Sequence, residues 1–302
     1  MTEQEYRHEL KNKLITYRNT LNLPKDVTFG IEIEYENIVL DTFSYILLEE
    51  KRYNKNIHGW INKKEFDIIE YNKNSEEMNG EVNSPILKDK LITWKGLSSI
   101  LELLDNSGAI ITNRCGGHVN IGTHLLKNNR KYFMNFILLY LLYEKEIYKF
   151  SSGEYIKIRP DYNCLFTKIS KDINIEEIID LYRFEYIKNL PECLYDKLHS
   201  IYLNPTSKKI VFDNVIEFRT PNGSLKEEIW QNYINFFAKF VLAAKKDLDV
   251  EKTLYKIKNN EHNAVELADY VFDEDIDKEN FLIQTLKPNK IYKKQLQKHI
   301  IY

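Results

Sequence analysis

The stretch Phe29–Glu36, FGIEIEYE, alternates apolar and polar residues without a break. A period of two marks a β-strand, because successive side chains leave opposite faces. The polar face here is entirely carboxylate: Glu32, Glu34 and Glu36. Like charges in a row cost little in water. Turned inward, they need a cation. The rest of the chain must therefore supply either solvent or a positive charge for this face.

Composition narrows the classes. With 302 residues, 43 % hydrophobic and 29 % charged, the chain can bury a sizeable core as a globular protein. Its net charge of −2 offers no global field for nucleic acid or an anionic membrane. The three cysteines (Cys115, Cys164, Cys193) are odd in number and form no CxxC pair, as expected for free thiols in a reducing compartment. The opening MTEQEYRHELKNK lacks the apolar segment of a signal peptide. The longest apolar run, from Phe133 to Tyr143, is shorter than the roughly 20 residues of a membrane span. A cytoplasmic location is the expectation.

Periodicity predicts an amphipathic helix over 2–21, with Tyr6, Leu10, Leu14, Tyr17 and Leu21 on one face and Pro24 as its stop. After FGIEIEYE, the runs YILLEE and EFDIIEY read as strands. MNGEVNSPIL reads as a short strand ended by Ser-Pro. Leu91, Trp94, Leu97, Leu101 and Leu104 space a helix over 88–107, with Gly108 as its cap. AIITNRCGGHVNIGTH reads as a strand, 129–149 as a long buried helix and 175–189 as a helix. SIYLNPTSKKIVFDNVIEFRT reads as two strands around a polar turn. Trp230, Ile234, Phe237 and Val241 anchor a helix over 225–244, and the last fifty residues are charged and loosely helical. The economical architecture is one α+β domain over 27–250, with an N-terminal helical arm (1–26) and a C-terminal helical extension (251–302).

Four strands carry polar pairs at i, i+2 spacing: Glu32 and Glu34, Glu81 and Asn83, His118 and Asn120, Glu217 and Arg219. Carboxylates with one imidazole and one guanidinium suit a divalent cation and a phosphate. Mg²⁺ takes oxygen ligands from a few carboxylates plus substrate phosphate, and arginine presents a planar fork of donors. Arg219 could pair with Glu217 when the site is empty and clamp phosphate when it is filled. Each piece alone is ordinary: a solvated strand face, a packed histidine after Gly-Gly, a surface Glu–Arg pair. Their conjunction and order are not.

In order, Gly30-Ile31-Glu32-Ile33-Glu34, Glu81-Val82-Asn83-Ser84-Pro85, Cys115-Gly116-Gly117-His118-Val119-Asn120 and Glu217-Phe218-Arg219 with Gly223-Ser224-Leu225 resemble the signature of the amidoligase family. That family lies within the glutamine synthetase and glutamate–cysteine ligase superfamily of carboxylate–amine ligases, and the resemblance covers roughly residues 27–245. It implies a curved antiparallel sheet with helices on its convex face, holding ATP and Mg²⁺ (or Mn²⁺) on its concave face. It implies that Glu34 and Glu81 hold the metal near the acceptor carboxylate. Glu32, His118 and Glu217 would hold the metal at the ATP phosphates, Asn120 would lie beside the nucleotide, and Arg219 would stabilise the transferring phosphoryl group. The implied substrates are a small-molecule or peptide carboxylate and an amine, joined through an acyl phosphate.

The chain departs from the signature in three places. Asn120 stands where the family has a second histidine. The segment after Trp60 differs from the family's Trp-to-Asp strand, leaving Asp67 unaligned. No arginine precedes Tyr202-Leu203-Asn204, where Lys197 and His199 stand instead. The last two departures fall where the acceptor would be read, whereas Asn120 still donates and accepts hydrogen bonds but weakens a ligand role there. Arg159 is a candidate for a substrate carboxylate or an ordinary surface arginine. Other readings remain open. Cys115, His118 and His124 could form a zinc site, although Cys115 and His118 leave opposite faces of a regular strand. The carboxylates would also suit a two-metal hydrolase or nuclease. A catalytically inactive nucleotide-binding protein of the same fold is the non-enzymatic alternative. Gly117-x4-Gly122-Thr123 lacks the lysine of a P-loop. Cys115 has no basic neighbour in sequence to make it a nucleophile, so a packing role is expected.

Overall fold

The computed structural model describes residues 2–64, 78–112, 115–127, 129–154, 170, 194, 199–203 and 215–286. FGIEIEYE forms strand β1 (Phe29–Glu36) and lies third in a six-stranded sheet. The other strands are β2 (Ile61–Lys63), β3 (Asn79–Asn83), β4 (Gly117–Gly122), β5 (Ile201–Leu203) and β6 (Val215–Phe218). They run in the order β2-β3-β1-β4-β6-β5, and every pairing is antiparallel. The sheet is curved and unclosed.

Register sorts the side chains. Ile31 faces Val119, Ile33 faces Val82, Val119 faces Phe218 and Ile121 faces Ile216, which gathers the apolar residues on one side. Each such side chain, when fully buried, stabilises by about 1.5–3 kcal/mol. Helices α3 (Leu91–Asn106), α4 (Arg130–Ser151) and α5 (Glu227–Ala243) cover that side. Trp94 of α3 stacks on Phe29 with ring centres 5.7 Å apart, Phe136 of α4 meets Phe218 edge-on at 6.0 Å, and Phe237 of α5 stacks on Phe218 at 4.1 Å. Gly117 makes the close approach of α5 possible. A Cβ there would lie 2.3 Å from the Trp230 ring, a distance no side chain tolerates.

Two expectations need correction. Helix α1 covers only Glu3–Glu9, started by a capping box between Thr2 and Glu5 and followed by a single 3-10 turn over Leu10–Asn12. The rest of the expected 2–21 helix is not helical, because its backbone groups find tertiary partners. Thr16 N–H donates to Asn280 Oδ1 (2.9 Å) and Thr16 C=O accepts from Asn280 Nδ2 (3.1 Å). Gln231 clasps Arg18 in the same way, at 2.7 and 2.6 Å. The Asp89 carboxylate accepts from the N–H groups of Leu21 and Leu23. Leu14, expected on the apolar face, is 76 % exposed. Secondly, YILLEE is not a strand but part of helix α2 (Leu40–Lys51), where Phe43 and Leu47 are buried one turn apart. EFDIIEY, the 175–189 helix and the turn between β5 and β6 lie outside the described residues.

After α5 come α6 (Val250–Asn259), α7 (Ala264–Val271) and α8 (Asp275–Leu286). Phe281 of α8 stacks on Phe150 and Phe236, at 5.0 and 4.9 Å, within the same core as the sheet. Among the described residues, no helix is long and apolar enough to cross a membrane.

Candidate functional site

The register that buries the apolar side places the polar residues together on the other. Glu32 stands between His118 on β4 and Asn83 on β3, Glu34 faces Glu81, and Asn120 faces Glu217. Arg219, one residue beyond β6, continues the Glu217 side. All seven sequence-predicted site residues therefore lie on one face: Glu32, Glu34, Glu81, His118, Asn120, Glu217 and Arg219. Glu36 lies buried at the far end of the same row, opposite Asn79.

His118 is the hub. Its Nδ1 lies 3.0 Å from Glu32 Oε2 and 3.4 Å from Glu217 Oε1, and its Nε2 lies 3.5 Å from Glu34 Oε1. Glu32 also accepts from Asn120 Nδ2 at 2.7 Å. Burial opposes ionisation of Glu32, but hydrogen bonding and charge from His118, with help from Glu81 and Asn120, pull its carboxyl down to about 2. Burial and the Arg219 charge push the His118 imidazole down, and Glu32 and Glu217 outweigh them, leaving its pKa raised. The imidazole thus lies among three carboxylates, whose charge favours its protonated form.

Ligand atoms of Glu32, His118 and Glu217 all lie within 4.8 Å of one another, the spread of a cation's donor set. Two carboxylates and an imidazole fit Mg²⁺ or Mn²⁺ chemistry. Access is from the Glu32 side, whose side chain is 26 % exposed against 5 % for His118 and 9 % for Glu217. Beside this triad, Glu34 and Glu81 stand across the β1–β3 ladder from each other. Glu34 accepts from the Gly116 N–H, and Glu81 accepts from the Asn83 amide.

Arg219 Nη1 donates to Glu217 Oε1, and both side chains are buried. The backbone around the arginine is pinned on both sides. Its N–H donates to Ser200 C=O at 3.0 Å, while Thr220 Oγ1 shares a hydrogen bond with Ser151 Oγ at 2.8 Å. Asn222 N–H then donates to Ser151 C=O at 2.9 Å, and Tyr233 Oη donates to the same oxygen. The PNGS turn is thus tied to the end of α4, so Arg219 is held on a fixed main chain.

The structure does not assemble the cysteine–histidine set. Cys115 is buried and its Sγ accepts from Thr112 N–H at 3.4 Å, whereas His124 Nε2 pairs with Asp26 C=O at 2.7 Å. Burial and the nearby Glu36 carboxylate push the Cys115 thiol up to about 12, which fits a packing residue. Arg159, Asp67, Lys197 and Asn204 lie outside the described residues. Tyr202 carries no site signal in the sequence beyond its place in the strand Tyr202-Leu203-Asn204. The β5–β6 register sets it opposite Glu217, on the polar side. Only strand pairing could reveal that, since no local pattern names its partner.

One buried sheet face carrying carboxylates, an imidazole and a guanidinium defines a protein equipped to handle a cation and an anion together. Residues 25–241 match the family described as "Putative amidoligase enzyme", and the chain belongs to that family. No curated protein matched the chain.

Proposed function

We propose that the chain is an ATP-dependent carboxylate–amine ligase with a glutamine synthetase-like catalytic fold, working through an acyl phosphate in the cytoplasm. The family supports a ligase. The observation that carries the finer reading is the Glu32–His118–Glu217 grouping with Arg219 bonded to Glu217.

In this reading Glu32, His118 and Glu217 would hold Mg²⁺ or Mn²⁺ for the ATP phosphates, and Glu34 and Glu81 would hold a second ion near the acceptor. The ions, when bound, supply charge neutralisation. Arg219 orients and neutralises the γ-phosphoryl group as it passes to an oxygen of the acid, with ADP leaving. Asn120 keeps Glu32 aimed and lines the nucleotide side. An amine then attacks the acyl carbon, phosphate leaves with the bonding pair, and the amine nitrogen gives up a proton. Phosphoryl transfer asks chiefly for positioning and charge, which this rigid face offers. The substrates are a small-molecule or peptide acid and an amine, with no nucleic acid or membrane partner.

The test is hydroxamate formation from a panel of acids with ATP, Mg²⁺ and hydroxylamine. The wild type should yield ADP and hydroxamate. Arg219→Lys should lose ~10³-fold or more in rate, because a point charge does not reproduce the fork. Product formed without ATP would sink the ligase reading in favour of a hydrolase.

A further inference from the structure

We propose that Glu217 cages Arg219, so that cation loading and phosphate capture are coupled through a single carboxylate. The proposal rests on the reading of Arg219 as a phosphate ligand. Glu217 Oε1 has two roles in the structure. It lies 3.4 Å from His118 Nδ1, within the triad whose ligand atoms converge, and it is also the oxygen that accepts from Arg219 Nη1.

Both side chains are more than nine-tenths buried, so water does not readily replace either partner. A guanidinium held against a buried carboxylate gives up that bond only when another charge compensates the carboxylate. A cation bound by Glu32, His118 and Glu217 does so, drawing on the electron density that Arg219 now shares. The same cation repels the guanidinium, which then seeks a new anion.

Without the cation, an incoming phosphate meets an arginine already neutralised and the carboxylates of Glu32, Glu34 and Glu217. With it, the phosphate meets a cation and a released fork. The order is therefore cation first, phosphate second. A metal-free chain is protected from occupation by free phosphates, and the protection resides in Glu217 rather than in the net charge of the face.

The experiment titrates inorganic tripolyphosphate into the full chain in EDTA by calorimetry, using wild type, Glu217→Gln, Glu34→Gln and Glu217→Gln/Arg219→Ala. Glu217→Gln should bind on the order of 10-fold more tightly than wild type, the size of an ordinary site-to-site coupling. Glu34→Gln removes the same charge but leaves the Glu217–Arg219 pair, so it should gain far less. The double variant should lose the gain. An equal gain in both single variants would reduce the effect to bulk charge and overturn the cage, as would no gain in Glu217→Gln.

Should Glu217→Gln melt early, the guanidinium resonance of Arg219 in the wild type replaces it. That signal should move as Mg²⁺ saturates the chain, and an unmoved signal at saturation overturns the proposal. Mn²⁺ binding to the wild type, followed by electron paramagnetic resonance, separates the two levels. Its absence defeats the metal site, whereas the contrast between variants in EDTA reads the cage alone.

Discussion

Glu34 grips Gly116 twice: its backbone N–H donates to Gly116 C=O at 3.2 Å, and its side-chain carboxylate accepts from Gly116 N–H. Strand β1 and the glycine pair before His118 are thereby fixed to each other. An amide oxygen can replace the accepting carboxylate oxygen, but a methyl group cannot. Glu34→Gln should therefore keep the fold and raise the metal-free melting temperature by a few degrees, since it relieves repulsion from Glu32 and Glu81. It should also abolish ATP turnover. Glu34→Ala should melt below wild type. Thermal melts in EDTA decide both, and a Gln variant less stable than the Ala variant would contradict the assignment.

The His118–Glu32 pair sets a pH signature for the metal-free protein. Glu32 is lowered from 4.5 to about 2, so its contribution is present above 4.5 and is lost as pH falls towards 2. His118 is raised above 6.5, so its contribution is present below 6.5 and is lost as pH rises through the raised value. Together they contribute most between 4.5 and 6.5. Denaturation in EDTA should show stability falling on the alkaline side. Saturating Mn²⁺ should remove that fall by taking over as counter-charge. An identical pH profile with and without metal would count against the site.

Cys115 should resist iodoacetamide at about pH 8 in the folded protein and react fully in urea, because burial keeps its thiol protonated. Peptide mapping by mass spectrometry reads this residue separately from Cys164 and Cys193. Rapid alkylation of native Cys115 would reopen the nucleophile reading.

Gly117→Ala should destabilise by about 1–3 kcal/mol, the usual cost of forcing atoms into a filled core. The colliding partner is the Trp230 ring. A double-mutant cycle with Trp230→Leu should therefore show strong coupling in urea denaturation. Additive effects would mean the clash lies elsewhere.

Asp277 is fully buried on α8 and bonds to Arg18, Lys239 and Asn235. Asp277→Ala should cost about 3–5 kcal/mol, because it takes the buried carboxylate from Lys239 and leaves Arg18 on its longer contact with Glu274 at 3.6 Å. A loss below 1 kcal/mol in chemical denaturation would show that the cations relax to solvent.

The candidate site was the most legible part of the chain. Strand alternation assigns side chains to faces by geometry alone, so Glu32 with Glu34, His118 with Asn120 and Glu217 with Arg219 could each be paired on one face. The family resemblance, not geometry, joined Glu32, His118 and Glu217 into one set. Register was not legible, and with it the position of Tyr202. The arm misled for a different reason. Tyr6, Leu10, Leu14 and Tyr17 have helical spacing, yet Asn280, Gln231 and Asp89 compete for the same backbone groups from distant sequence. In YILLEE the apolar run was short enough to fit strand or helix, and the burial of Phe43 with Leu47 decided it.

The two amide clasps on the arm also have a consequence in time. Thr16 is bonded to a residue 264 positions later, and Arg18 to one 213 positions later. At a synthesis rate of roughly 5–20 residues per second, the arm emerges some tens of seconds before α8 exists to receive it. During translation Thr16 and Arg18 await partners that lie far along the chain. Docking the arm is a closing event of folding, and the amide protons of Thr16 and Arg18 should be among the last to gain protection when the chain refolds.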